Sequence, residues 1–356
     1  LSDQLLSRLI AEDAPGRSLL PELEADVLAD PQDAQAFGIH TRNVQQQVQR
    51  RVDLLKTAQS DLNALCQRLG IPLPAVLDTL WHLWLPLALH LGQQRQALQR
   101  PFVQGILGGQ GSGKTTLGAV LTLLLHHLGY RSLSLSLDDL YKPYADRLQL
   151  RQQDPRLIWR GPPGTHDVEL GIQVLCHLKQ KTSEAIAIPR FDKSLHNGAG
   201  DRIPGEIVSN IDIVLFEGWF VGVHPIPPTR FDTAPPPIVT QDDRAFARDI
   251  NTRLHAYLPL WEQLDSLIVL YPVDYQFSKQ WRRQAEQQMR SQGKPGMSDA
   301  EIDAFVDYFW KALHPQLFIT PLVTTPGLAD LVIEIDAQHR PGKVYRPKQE
   351  DRKESV

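Results

Sequence analysis

Cysteine is scarce in this sequence. Cys66 and Cys176 stand apart in leucine-rich, helical contexts, with no second Cys or His at ligand spacing. That excludes a disulfide framework or a cysteine-based zinc site and predicts two buried, reduced thiols. Excess positive charge is missing too. The 37 basic residues stand against 41 acidic ones, for a net charge of −4. Nucleic-acid affinity rests on neutralising phosphates with Lys and Arg, so this balance argues against a nucleic-acid partner. The opening "LSDQLLSRLIAEDAPG" has early acids and no long apolar run, and does not read as a secretory signal. Uninterrupted apolar stretches are also lacking. The nearest is Leu73 to Leu91, but Asp78, His82 and His90 interrupt it and Pro86 lies inside it. It reads as a buried, kinked helix rather than a membrane span. The expected partner is therefore neither nucleic acid nor membrane, and the expected location is the cytoplasm.

What is present is ordinary for a globular chain. The 356 residues are 42 % apolar and 22 % charged, enough for one large domain or two modest ones with a sizeable core. No internal repeat is apparent. Residues 1–100 read as a helical region, with Val44, Val48, Val52, Leu55, Leu62, Leu65 and Leu69 at helical spacing and Gly70 as a stop. Residues 101–345 change character. "FVQGIL" (102–107), "SLSLSL" (132–137), "AIAIP" (185–189), "IDIVLFEG" (211–218), "SLIVLYP" (266–272) and "LVIEI" (331–335) read as short strands with helices between most of them. That alternation predicts an α/β fold: a mostly parallel sheet flanked by helices, with ligands at the carboxyl ends of its strands. The proline-rich stretch 222–243 reads as an irregular surface loop or flap, and 346–356 as a polar tail.

One motif carries specific chemistry. "GGQGSGKTT" follows a strand and opens a helix that runs to Gly129. It fits G-x-x-x-x-G-K-T, in which backbone N–H groups and a helix N-terminus surround a phosphate. Gly108, Gly109, Gln110, Gly111, Ser112, Gly113, Lys114, Thr115 and Thr116 are therefore candidate ATP contacts. Lys114 supplies charge to the β- and γ-phosphates, and the Thr115 hydroxyl is a candidate Mg²⁺ ligand.

Such a loop serves switches, ATPases and kinases alike. No N-K-x-D appears, which argues against a GTPase. "SLDDLY" (Ser136 to Tyr141) ends the strand after the first helix, where an acid faces the γ-phosphate and can accept a proton from a hydroxyl. Alternation along the strand does not choose between Asp138 and Asp139; one of them is expected to cap the next turn. Tyr141 is a candidate substrate contact. Glu217 ends another buried strand, placed to hold Mg²⁺ or the attacking hydroxyl. "RGPPGTHD" (Arg160 to Asp167) offers Arg160 as an anion clamp and Thr165 as a helix N-cap. "PRFDKSLHNGAGDR" reads as a loop carrying Asp192, Lys193, His196 and Arg202, with Lys193 a second substrate candidate. Arg282, Arg283 and Arg290 stand on a helix of the type that closes a charged lid over a transferring phosphate. Adenine contacts are expected near 336–345.

Taken together and in order along residues 100 to 340, "SLDDLY", "RGPPGTHD", "PRFDKS", "FEGWFVG" and "WRRQAEQQMRSQGKPGMSDAEI" resemble the D-glycerate 3-kinase family. That family is similar in turn to the uridine kinase, phosphoribulokinase and pantothenate kinase group of P-loop NTPase-type kinases. The resemblance implies Mg-ATP-dependent phosphorylation of the 3-hydroxyl of D-glycerate, giving 3-phosphoglycerate. It also selects Asp138 over Asp139 as the catalytic base and Arg282 as the lid arginine. Arg283 and Leu140 depart from the family's pattern. The rivals are the same chemistry on a nucleoside, sugar or pantothenate-like alcohol, and an ATP-binding regulatory protein.

Overall fold

The computed structural model describes residues 2–11, 19–181, 183–291 and 296–347. Most of the expected tail, and residues 292–295 of the arginine-bearing segment, lie outside them.

The strands among these residues are β1 (Phe102–Gly108), β2 (Ser132–Ser136), β3 (Ile186–Asp192), β4 (Asp201–Val208), β5 (Ile213–Gly218), β6 (Ser266–Pro272), β7 (Leu331–Ile335) and β8 (Pro341–Tyr345). Six of them form one sheet in the order β2–β5–β1–β6–β7–β8. All neighbours are parallel except β7 and β8. β1 is buried at every position, as expected of a strand covered on both faces. The register pairs Ser136 with Glu217 and Leu107 with Gly218, which brings the carboxyl ends of β2, β5 and β1 level.

One expectation needs correction here. The strand expected over 185–189 forms, but it pairs antiparallel with β4 in a separate two-stranded ribbon. Its partner starts at Asp201, at the end of the segment 189–202 that reads as a loop, and runs on through Pro204 and Gly205, which interrupt the strand signal. The second half of 336–345, where adenine contacts are expected, is β8 at the sheet edge.

The N-terminal helices cover one face of the sheet. Val48, Val52, Leu55 and Leu62 of the helix Val44–Leu69 share a buried cluster with Ile106 of β1 and with Leu117, Val120, Leu121 and Leu124 of the helix Lys114–His127. Gly70 and Gly129 end these helices in the left-handed region, as expected. No described helix is long and apolar enough to cross a membrane. The apolar stretch 73–91 is buried in this cluster instead, as expected. It contains a π-helical turn, Leu80–Trp84, immediately before the helix Leu85–Leu98. Pro86 has no N–H, so the Trp81 carbonyl lacks its partner in that register. The buried Arg51 guanidinium donates to it at 3.2 Å.

The other face is covered by the helices Val168–Lys179 and Gln241–Arg253 and the segments that follow. The proline-rich stretch 222–243 is largely irregular but is not a free flap. Phe231 and Ile238 are fully buried, and His314 Nε2 lies 3.0 Å from the Pro236 carbonyl. Cys66 is buried, but Cys176 is exposed, on the outward face of a helix that turns Val174, Leu175 and Leu178 inward.

Candidate active site

The phosphate loop connects β1 to the helix Lys114–His127. Gly111 and Gly113 have φ of +83° and +89°, conformations that suit glycine. A Cβ on Gly108 would lie 2.4 Å from Ser112 Oγ, so the turn closes only without a side chain there. Lys114 Nζ donates to the carbonyls of Gly108 (2.7 Å) and Gly109 (3.2 Å) and lies 3.8 Å from Glu217 Oε2. Burial pushes its pKa down, and the charges of Glu217 and Asp138 oppose that shift. Lys114, Thr115 and Glu217 line a cavity of about 720 Å³.

The two acids after β2 have different partners. Asp139 completes a capping box with Ser136 and accepts from the backbone N–H of Ser136 and Phe191 and from Arg190 Nη1 at 3.0 Å. All of those contacts are structural. Asp138 meets Lys193 Nζ at 2.6 Å and takes a hydrogen bond from the Tyr141 hydroxyl. Burial would raise its pKa, but the Lys193 ammonium and these hydrogen bonds hold it below the usual carboxylate range. Burial and the neighbouring Asp138 push the Tyr141 phenol well up, so it stays a donor.

Three separate segments converge on this pair. Lys142 N–H donates to the Thr165 carbonyl and Asp167 N–H to the Leu140 carbonyl, which ties "SLDDLY" to "RGPPGTHD". Trp219 Nε1, beside Glu217, donates to the Gly161 carbonyl at 3.2 Å. Arg160 lies with its guanidinium 5.9 Å from the Tyr141 ring centre and donates to the carbonyls of Gly198 and Ala199 in the β3–β4 turn. Thr165 is not the N-cap expected of it. Asp167 caps the helix by accepting from Leu170 N–H, while Thr165 Oγ1 closes the preceding turn onto Gly161 N–H and Pro162 O. Asp167 sits one step before the helix, where a cap must be, and Thr165 lies two residues too early. His166, between them, is buried with its ring stacked on Tyr141 at 4.6 Å.

In the structure Lys114, Glu217, Asp138, Tyr141, Lys193 and Arg160 therefore form one neighbourhood. Arg282 has other partners: its guanidinium pairs with the buried Glu286 and lies 5.1 Å from the Phe305 ring centre. Arg283 pairs with Asp303. The helix Phe277–Ser291 meets the phosphate loop through Trp281 instead, which lies against Gly111 and stacks on His339 at 4.6 Å. His339 Nδ1 is 2.7 Å from the Gly111 carbonyl, so the turn before β8 also touches the loop. His166 and Glu286 lie inside quoted motifs and His339 in none, but nothing local singles out any of them, because each matters here through a tertiary contact.

No family model matches the chain. Among curated proteins, the chloroplastic D-glycerate 3-kinase of Arabidopsis thaliana is 32 % identical over 255 residues, covering 68 % of this chain and 54 % of its own length. The chain thus spans about half of that relative. Uncharacterized kinase mug58 of Schizosaccharomyces pombe is 32 % identical over 62 % of this chain and 82 % of its own length. Among solved structures, D-glycerate 3-kinase from Cryptococcus neoformans superposes with a TM-score of 0.65 at 28 % identity, over 73 % of this chain and 97 % of that one.

Proposed function

Because this chain belongs to the D-glycerate 3-kinase family of ATP-dependent kinases, we propose that it transfers the γ-phosphoryl group of ATP to the 3-hydroxyl of D-glycerate. The observation that carries the reading is the set of charges around Asp138: Lys114 on the phosphate loop to one side, Lys193 in contact, and Arg160 over Tyr141. A small hydroxy acid needs both a proton acceptor and a cationic anchor, and those are what this neighbourhood offers.

In this mechanism the phosphate loop from Gly108 to Thr116 holds the triphosphate, and Lys114 meets its β- and γ-oxygens. Glycerate binds with its carboxylate toward Arg160 and Lys193. As the carboxylate draws Lys193 away, Asp138 becomes more basic and takes the proton of the 3-hydroxyl as the oxygen attacks phosphorus. Tyr141 orients Asp138 by its hydrogen bond. Arg282 reaches the transferring group only by leaving Glu286, which makes lid closure part of the reaction.

The residues present suit a nucleotide-borne Mg²⁺. No cluster of three or more His, Cys, Asp or Glu exists among the described residues. Such an ion needs only one or two protein oxygens, and Thr115 and Glu217 line a common cavity. Thr115 and Glu217 are the residues that would hold it, and the ion would supply charge neutralisation to the transferring phosphoryl group.

A coupled ATP assay across D-glycerate, uridine and pantothenate tests the assignment. Turnover dependent on glycerate is expected, and Arg160→Gln is expected to raise the glycerate KM while leaving the ATP KM little changed. Turnover on uridine alone would move the chain to a different acceptor, and ATP hydrolysis indifferent to all three would mark a regulatory ATPase.

A further inference from the structure

His166 lies deeper than the residues that a kinase motif would nominate. It is 2 % exposed, and its Nδ1 is 2.8 Å from the Tyr257 hydroxyl oxygen. That oxygen already accepts the Gly164 N–H at 2.8 Å and is also within reach of the His166 backbone N–H. A phenol has one proton, and with its lone pairs so engaged that proton goes to Nδ1. The imidazole proton must then sit on Nε2. Burial holds the ring's pKa near 3, so the ring is neutral and keeps this single tautomer.

The Nε2 atom is buried and has no hydrogen-bond partner among the described residues. It is a donor fixed in place with nothing to donate to, which costs stability unless something else accepts. Its surroundings indicate what that is. The ring stacks on Tyr141, whose hydroxyl bonds Asp138, and Asp138 is near enough for its charge to act on the imidazole. The edge of Phe220 closes another side.

We propose that His166 Nε2–H is a substrate-positioning donor, which hydrogen-bonds an oxygen on the carbon next to the attacking hydroxymethyl group of the acceptor acid. This rests on the reading of the chain as a glycerate kinase. A neutral donor suits that task. It selects for an oxygen without adding a second full charge beside Asp138, and the Tyr257 lock spares it any reorganisation on binding. Acceptors lacking that oxygen leave the buried donor unpaired and are discriminated against.

Two measurements test the proposal. The first compares native protein and His166→Phe, which keeps the ring stack and removes Nε2–H. The glycerate KM is expected to rise about 10- to 100-fold, the cost of one lost hydrogen bond to an oxygen acceptor, with the ATP KM unchanged. With 3-hydroxypropanoate, which lacks the 2-hydroxyl, the two proteins should differ little; a difference as large as with glycerate would put the bond on a carboxylate oxygen and overturn the assignment. Native turnover on glycerate with an unaltered glycerate KM in His166→Phe overturns this assignment alone. Absence of native turnover on glycerate overturns the functional reading and the assignment with it. The second measurement needs no variant. In ¹⁵N-labelled native protein, His166 should show a protonated Nε2 whose proton moves downfield when glycerate is added; a protonated Nδ1, or a signal indifferent to glycerate, contradicts the proposal.

Discussion

Asp138 and Asp139 are adjacent acids with opposite surroundings, and single substitutions should separate them. Asp139 is enclosed by backbone N–H groups and Arg190. Asp139→Asn should lower the thermal midpoint while leaving much of kcat, because it weakens a capping box rather than a reacting group. Asp138→Asn should keep the thermal midpoint and lower kcat by about 10²–10⁴-fold, the range for a lost general base. Equal losses of kcat would mean that local geometry, not proton transfer, was disturbed. Lys193 gives a further test through pH. Its ammonium is a principal cause of the lowered Asp138 pKa. In Lys193→Ala the carboxyl pKa must rise, and activity needs the ionised form. The acid limb of kcat/KM should therefore move to higher pH; an unmoved limb would show that Asp138 is not the group that titrates.

At the scale of elements, the phosphate loop and the sheet strands were legible because each signal is local. The G-x-x-x-x-G-K-T pattern lies within one turn, and β1, β2, β5, β6 and β7 carry unbroken or alternating apolar residues. The β3–β4 ribbon was half hidden, since β4 is mostly exposed and contains Pro204 and Gly205. The arginines of the helix Phe277–Ser291 were visible, but the pairing of Arg282 with Glu286 depends on how that helix packs. The same holds for the Thr165 cap, because the fold hands that role to Asp167 two residues later. The π-helical turn supplies a prediction at this scale. Arg51→Leu removes the side-chain donor to the Trp81 carbonyl and should destabilise the protein by about 1–3 kcal/mol in denaturant titration, with kcat at 25 °C unchanged. A neutral result would mean that the carbonyl finds water.

At the scale of the whole molecule, the N-terminal helices and the kinase sheet share one buried cluster. Removing residues 1–100 would expose Leu117, Val120, Leu121 and Leu124 on the phosphate-loop helix, together with Ile106. The truncated chain should lose its cooperative thermal transition, and a sharp transition with retained ATP binding would instead make the helices a separable module. The shared core also explains how the motifs converge: one layer fixes the phosphate-loop helix from behind, while Tyr141, His166 and Trp219 tie together the segments around Asp138 in front.

The central claim is that phosphoryl transfer goes to the 3-hydroxyl of D-glycerate with Asp138 as the proton acceptor. The most direct measurement is ³¹P NMR of the product formed from Mg-ATP and D-glycerate by the native chain and by Asp138→Asn, with ATP affinity measured for both. The account predicts 3-phosphoglycerate from the native chain, its near-complete loss in the variant, and ATP affinity nearly unchanged. Phosphate on the 2-hydroxyl, no glycerate product from the native chain, or undiminished product from Asp138→Asn would contradict it.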